Sequence, residues 1–266
     1  EALRAIEEYS KLAELGQDFH RLAPAAETVR YQSYDLTQRL ILAATARPAP
    51  QWRLCLLLTQ SLCQTPWRNA LQVALEHGTD CIQVREKDMD AGPLLDHIRQ
   101  VIELVDSHAA VIVNDRPDLA VLAGADGVHL GQSDLAPDDA RQIVGRRLLI
   151  GVSTSNLDQA KAAKASGADY CGVGPMFPTT TKHKPDLAGP DYLREYLEWD
   201  GLPHLAIGGI NADNIDELAE VGGQGVAVSS AICAADEPGA VSKCLIAALD
   251  KRAASCNLQK SASSDA

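Results

Sequence analysis

The chain has 266 residues, 46% of them apolar and only 4% aromatic, with a formal net charge of −12. One large domain or two ordinary ones fit that length, and their core must be built from Ala, Val, Leu and Ile. The acidic balance excludes bulk affinity for nucleic acid or an anionic membrane surface, because no positive field draws a polyanion in.

From the N-terminus, residues 1–46 read as a helical segment. "EALRAIEEYSKLAEL" sets Leu3, Ile6, Tyr9, Leu12 and Leu15 near one face, and "SYDLTQRLILAATA" gives a second helical stretch. The prolines of "ARPAPQW" break the pattern, so residues 47–53 are expected to be a linker. Residues 54–252 then keep a regular beat. Short apolar runs recur at 54–59, 81–86, 110–115, 127–131, 148–153, 170–175, 204–209 and 225–230. Amphipathic stretches such as "GPLLDHIRQVIELVDS" follow nearly every run, and several end in Gly, a helix stop. Strands apolar throughout are buried on both faces, which requires a parallel sheet covered by helices. Eight such units in roughly 200 residues predict an α/β fold, a (β/α)8 TIM barrel preceded by a short helical N-terminal segment. An open doubly wound sheet is the alternative, weakened by the lack of a GxGxxG after the first run. Residues 253–266 are small and polar and are expected to be a disordered tail.

No apolar run approaches the roughly 20 residues of a membrane span, and no signal peptide is visible. The chain starts at Glu1 without a methionine, which leaves open whether upstream sequence is missing. Seven scattered cysteines without a CxxC pair fit buried thiols, and hence a cytoplasmic protein, better than a disulfide frame or a zinc site.

In such a barrel the chemistry sits at the carboxyl ends of the strands. There the sequence crowds its polar groups. In "QVREK", Gln83, Arg85 and Lys87 alternate along one line and could hold a phosphate or diphosphate; a solvated strand end is the competing reading. Asn114 and Asp115 follow the third run, and Gln132 and Asp134 the fourth. Two carboxylates at neighbouring strand ends suit Mg²⁺, which takes one or two carboxylates plus substrate phosphate oxygens, though either Asp alone could cap a helix. Ser153 and Thr154 end the fifth run. Gly209, Ser229 and Ser230 end the seventh and eighth, where exposed backbone N–H groups commonly bind a phosphate monoester. After the sixth run, "VGPMFPTTTKHKPDLAG" is longer than the usual loop of about 2–6 residues and is expected to be a closing flap. His129 falls inside the fourth run as a core or lining residue, and no Ser-His-Asp or Cys-His set appears.

Taken together, "QVREK", "VNDRPDLA", "GVHLGQSDL", "IGVSTSN", "GVGPMFPTTTK", "AIGGI" and "GVAVSSAI" resemble the thiamine phosphate synthase family, in order from Leu54 to Ile232. The resemblance implies a transferase of thiamine biosynthesis. It would condense 4-amino-2-methyl-5-hydroxymethylpyrimidine diphosphate with 4-methyl-5-(2-phosphoethyl)thiazole, or its carboxylated form, to thiamine phosphate and pyrophosphate. Carried over by motif, Gln83, Arg85, Lys87, Asn114, Ser153 and Lys182 would bind the pyrimidine diphosphate. Thr179, Thr181, Gly209, Ser229 and Ser230 would bind the thiazole phosphate, and Asp115 and Asp134 would take Mg²⁺. Arg85, Lys87, Ser153 and Lys182 would be catalytic. The implied mechanism is dissociative: pyrophosphate leaves before the thiazole nitrogen attacks. The implied partners are these small molecules, with no nucleic acid and no membrane, and the oligomeric state is left open to a homo-oligomer. "EALRAIEEYSKL" looks like the end of a helical domain fused ahead of some synthases of this family. Two alternatives stay open: a thiazole tautomerase of the same fold, and a non-catalytic phosphometabolite-binding protein.

Overall fold

A computed structural model describes Arg4 and residues 22–45, 50–179, 187–199 and 201–263, without the side chains of 22–23, 38–45 and 251–263. The chain divides into two compact units, Glu1–Arg47 and Pro48–Ala266. In the first, α1 spans Leu22–Thr45, so the second helical stretch is one long helix. The first, 1–15, lies outside the described residues except for Arg4.

In the second unit, eight parallel strands close into a barrel in sequential order. They are β1 (Leu54–Leu58), β2 (Cys81–Val84), β3 (Ala110–Asn114), β4 (Gly127–Leu130), β5 (Leu149–Thr154), β6 (Tyr170–Val173), β7 (His204–Ile207) and β8 (Val226–Val228). Between and after them lie α2 (Trp67–Glu76), α3 (Ala91–Val105), α4 (Pro117–Ala123), α5 (Pro137–Val144), α6 (Leu157–Ala165), α7 (Gly189–Trp199), α8 (Ile215–Val221), α9 (Ser230–Cys233) and α10 (Pro238–Ser263). Sequential parallel closure removes the open-sheet alternative. The last helix runs to Ser263, so the backbone is helical over most of the stretch expected to be a disordered tail.

Period-two alternation sorts each strand onto two faces. Leu54, Leu56, Leu58, Ile82, Val84, Val113, Val128, Ile150 and Val173 face outward and share one core with Leu71, Ile98, Leu193 and Leu218 from the helices. Cys55, Leu57, Cys81, Ile112, Tyr170, Leu205 and Ala227 face inward and form a second, smaller core. Above that inner layer the inward positions turn polar: Gln83, Asn114, His129 and Ser153. The inner core therefore forms the floor of a cavity at the strands' carboxyl ends.

The opposite end is latched. Asp80, Asp126 and Asp169 each precede an even-numbered strand and accept N–H bonds from the start of the strand before it. Arg53 and Leu54 donate to Asp80 at 2.8 and 3.1 Å, Val111 to Asp126 at 2.8 Å, and Ile150 to Asp169 at 2.7 Å. These bonds satisfy backbone donors that precede regular pairing. Glycines stop the helices as expected: α4 ends on Gly124 at φ 74° and α8 on Gly222 at φ 110°, left-handed positions that favour a residue without Cβ. Among the described residues, no helix is long and apolar enough to cross a membrane.

Candidate active site

A cavity of about 530 Å³ opens at the carboxyl ends of the strands. Gln83, Arg85, Asn114, Ser153, Thr179, Gly209, Ser229 and Ser230 line it, all of them expected from the sequence. Leu57, His129, Gly172, Ile207 and Asn211 complete much of the wall. Lys87, Asp115 and Asp134 do not line this cavity. Thr181 and Lys182, and the centre of the expected flap, lie outside the described residues.

β2 delivers the cations. Pairing continues past its end, because the Arg85 N–H donates to Leu58 O at 2.9 Å and Thr59 Oγ1 donates to Arg85 O at 2.9 Å. Glu86 points the other way. Its Oε1 accepts the Gln60 N–H at 2.6 Å and lies 3.7 Å from His97 Nε2, both side chains being almost fully buried. Burial raises the Glu86 carboxyl above its ordinary range and lowers His97 below its own. Glu86 is thus anchored under the strand end, while Arg85 lines the cavity. The chain then turns, so Lys87 sits on a turn rather than continuing the strand's line. Its Nζ lies 3.6 Å from Asp115 Oδ2.

Asp115 occupies the left-handed region at φ 61°, which L residues adopt at a cost and Asp or Asn tolerate best. Its N–H donates to His129 O at 2.9 Å, which fixes the turn. Asp134 closes a tighter one: its Oδ2 accepts the Gly131 N–H at 2.7 Å. Asp115 and Asp134 leave β3 and β4, which are neighbours in the barrel. Both offer hard oxygen donors. Among the described residues, no cluster of three or more His, Cys, Asp or Glu could cage a metal. Two carboxylates fit an ion such as Mg²⁺, which keeps waters and takes substrate oxygens, and do not fit a closed zinc site.

On the far wall, Ser153 is held from two directions. His129 Nε2 lies 2.9 Å from its Oγ, and Gln132 Nε2 donates to its carbonyl at 2.7 Å. Gly208 and Gly209 turn at φ 100° and 67°. A Cβ on Gly209 would stand 2.5 Å from Pro178 O, so this close approach requires glycine. The loop after β6 is stitched to the loop after β7: Met176 N–H donates to Ile207 O and Phe177 N–H to Gly208 O, both at 2.9 Å. Asn214 Nδ2 donates to Gly209 O at 2.9 Å. The Ser229 hydroxyl donates to Leu57 O at 2.9 Å across the β1–β8 seam, leaving its backbone to face the cavity. In α9 the Ile232 and Cys233 N–H groups donate to Ser229 O, while those of Ser230 and Ala231 come too early for an intrahelical acceptor.

Of the polar wall residues, Asn211 was not singled out from the sequence, and His129, read there as a core or lining residue, was given no role toward substrate. Strict alternation on "GVHL" places His129 on the inward face with Asn114, its register partner on β3, and Gly151, its partner on β5, two residues before Ser153.

The sequence matches the family model described as thiamine monophosphate synthase over residues 54–232. It is 38% identical over 252 residues to a thiamine-phosphate synthase of Nostoc punctiforme, an alignment covering 94% of this chain and 70% of the relative. A thiamine-phosphate synthase of Thermosynechococcus vestitus is 39% identical over 252 residues, with the same coverage. Among solved structures, a thiamine phosphate pyrophosphorylase from Pyrococcus furiosus superposes with a TM-score of 0.70 at 32% identity, covering 76% of this chain and 97% of that one.

Proposed function

The chain belongs to the thiamine monophosphate synthase family, and from that premise we propose how its barrel mouth works. Its activity is that of a thiamine-phosphate synthase, a transferase acting on small molecules. The observation that carries the detailed reading is the pairing of the two functional sets in one mouth. Arg85 and Ser153 face Gly209, Ser229 and Ser230 across a single cavity, with Lys87 and Asp115 together at 3.6 Å.

The substrates are a hydroxymethylpyrimidine diphosphate and a thiazole phosphate, the thiazole being plain or carboxylated. Gln83, Arg85, Lys87, Asn114, Ser153 and Lys182 bind the diphosphate substrate. Arg85 offers a bidentate fork and the lysines offer point charges. Thr179 and Thr181 contact the thiazole phosphate, whose phosphate rests against the backbone at Gly209, Ser229 and Ser230. Asp115 and Asp134 would hold Mg²⁺, which when bound neutralises charge building on the diphosphate oxygens.

The bond from the pyrimidine methylene to the diphosphate oxygen breaks first, and its electron pair leaves with the pyrophosphate. Arg85, Lys87 and Lys182 stabilise that departing charge in a mouth screened from bulk water. The thiazole ring nitrogen then donates its lone pair to the methylene carbon and forms the new C–N bond. That nitrogen carries no proton, so no strong general base is needed, and no Ser-His-Asp or Cys-His set was read in the sequence. The loop over Val173–Gly189 closes on the pair of substrates and keeps water from the cation.

The fold-sharing alternative, a thiazole tautomerase, moves a proton and needs no diphosphate clamp. Arg85 in the cavity, and Asp115 and Asp134 following the neighbouring strands β3 and β4, favour the synthase. The discriminating experiment supplies the thiazole carboxylate phosphate alone and follows its isomerisation by NMR. The synthase leaves it unchanged; isomerisation without any condensation would establish the tautomerase instead. The protein is read as cytoplasmic, and residues 1–46 as the end of a fused helical domain.

A further inference from the structure

Tyr170, His129 and Ser153 form one hydrogen-bonded line inside the barrel, rising from the apolar floor to the cavity wall. Tyr170 Oη lies 3.1 Å from His129 Nδ1, and His129 Nε2 lies 2.9 Å from Ser153 Oγ. The phenol sits in the inner core of Cys55, Leu57, Cys81, Ile112, Leu205 and Ala227, none of which carries a strong acceptor in its side chain. The strands make room for the line. A Cβ on Gly151 would fall 2.1 Å from the Tyr170 ring, and one on Gly172 would fall 3.1 Å from His129 Cε1. Trp52 meets the Tyr170 ring edge-on with centroids 5.1 Å apart, which holds it in place.

This geometry dictates where the protons sit. Tyr170 is fully buried, and burial raises its phenol far above its ordinary pKa, so it stays protonated. A buried O–H left without an acceptor costs about 1–3 kcal/mol. The acceptor the structure offers is His129 Nδ1, which must then carry a lone pair. The imidazole proton is thereby placed on Nε2, where it donates to Ser153 Oγ. With its oxygen accepting from His129, the Ser153 hydroxyl turns its own proton into the cavity. We propose that His129 is a positioning residue: held in the Nε2–H tautomer by Tyr170, it fixes Ser153 as a hydrogen-bond donor toward the diphosphate substrate. The inference rests on the reading that Ser153 contacts that substrate.

Three measurements test it. The tautomer is read without turnover, by long-range ¹H–¹⁵N NMR of the wild-type protein, with the His129 signals identified among the seven histidines by their loss in His129→Gln. Nδ1 should appear unprotonated and Nε2 protonated; the reverse pattern overturns the inference while leaving the synthase assignment untouched. In kinetics, His129→Leu should lower kcat about tenfold or more, with a smaller change in KM, the scale of one misdirected hydrogen bond. The same substitution made on top of Ser153→Ala should cost almost nothing further, since both act through one hydroxyl. Losses that multiply would show that His129 acts independently of Ser153. His129→Gln places an amide donor at the Nε2 position and should recover most of the activity; a Gln variant as slow as Leu contradicts the donor role. Should His129→Leu fold poorly, Tyr170→Phe supplies the same test, because it frees the tautomer while keeping the ring. Tyr170→Phe should lower kcat and mix the two ¹⁵N patterns, and an unchanged kcat with a single tautomer would overturn the proposal.

Discussion

Lys87 Nζ and Asp115 Oδ2 lie 3.6 Å apart at the mouth of the barrel, the proposed phosphate cation beside the proposed metal ligand. In the proposed reading Lys87 would turn to the diphosphate and Asp115 to Mg²⁺, each giving up the other as its partner. The two roles are coupled, so altering either residue changes how the other meets its ligand.

Asp115→Asn separates the metal role from the fold. Asn tolerates the left-handed backbone at φ 61°, so the melting temperature should stay close to that of the parent. Mg²⁺-dependent kcat should fall about 100-fold or more, the scale of losing one charged contact to a departing group. Asp115→Ala should lose the same activity and some stability besides, because Ala pays for the left-handed conformation. Unchanged Mg²⁺ dependence in the folded Asn variant would remove Asp115 from the metal site.

Gly209→Ala tests the thiazole-phosphate cradle. A Cβ there stands 2.5 Å from Pro178 O and 2.7 Å from Phe177 O, on a backbone at φ 67°. The loop bearing Thr179 must move. KM for the thiazole phosphate should rise about tenfold, with stability lower by about 1–3 kcal/mol. KM for the pyrimidine diphosphate should hold nearly constant, and equal rises for both substrates would contradict the assignment.

His204 at the start of β7 gives a pH signature. Burial lowers its pKa from 6.5 to about 4, with its ring against Tyr196 and its Nε2 without a hydrogen-bond partner among the described residues. The unfolded chain takes up the proton near pH 6.5 and the folded protein resists it to about pH 4. Stability from this group is complete above pH 6.5 and falls as pH drops toward 4, by up to about 3 kcal/mol. Urea titrations of His204→Leu across that window should show a shallower fall than the parent; identical slopes would exclude His204 as the cause.

Lys182→Ala follows from the sequence, since the residue lies outside the described structure. It should lower kcat far more than it changes the melting temperature. An equal loss of both would make Lys182 a structural residue.

The barrel was legible because its physics is local. Apolar runs, amphipathic stretches and glycine stops recur within each unit, and strand ends follow from them. Gln83, Arg85, Asn114 and Ser153 were found this way, and all reach one cavity. What stayed hidden depends on register between distant strands. His129 meets Ser153 across 24 residues and Tyr170 across 41, contacts that alternation permits and only closure of the barrel fixes. The latches of Asp80, Asp126 and Asp169 are of the same kind: each looks like a turn residue and acts as an acceptor for a neighbouring strand. Lys87 shows the limit of extrapolating a period. Its strand ends at Val84, and the turn beyond carries the lysine out to Asp115.

The most direct measurement mixes the full chain with the pyrimidine diphosphate, the thiazole phosphate and Mg²⁺, and quantifies products by chromatography. Thiamine phosphate and pyrophosphate should form in equal amounts, stop on chelation with EDTA and resume when Mg²⁺ is restored. Folded protein that yields no thiamine phosphate, or yields it at the same rate in EDTA, would contradict the account.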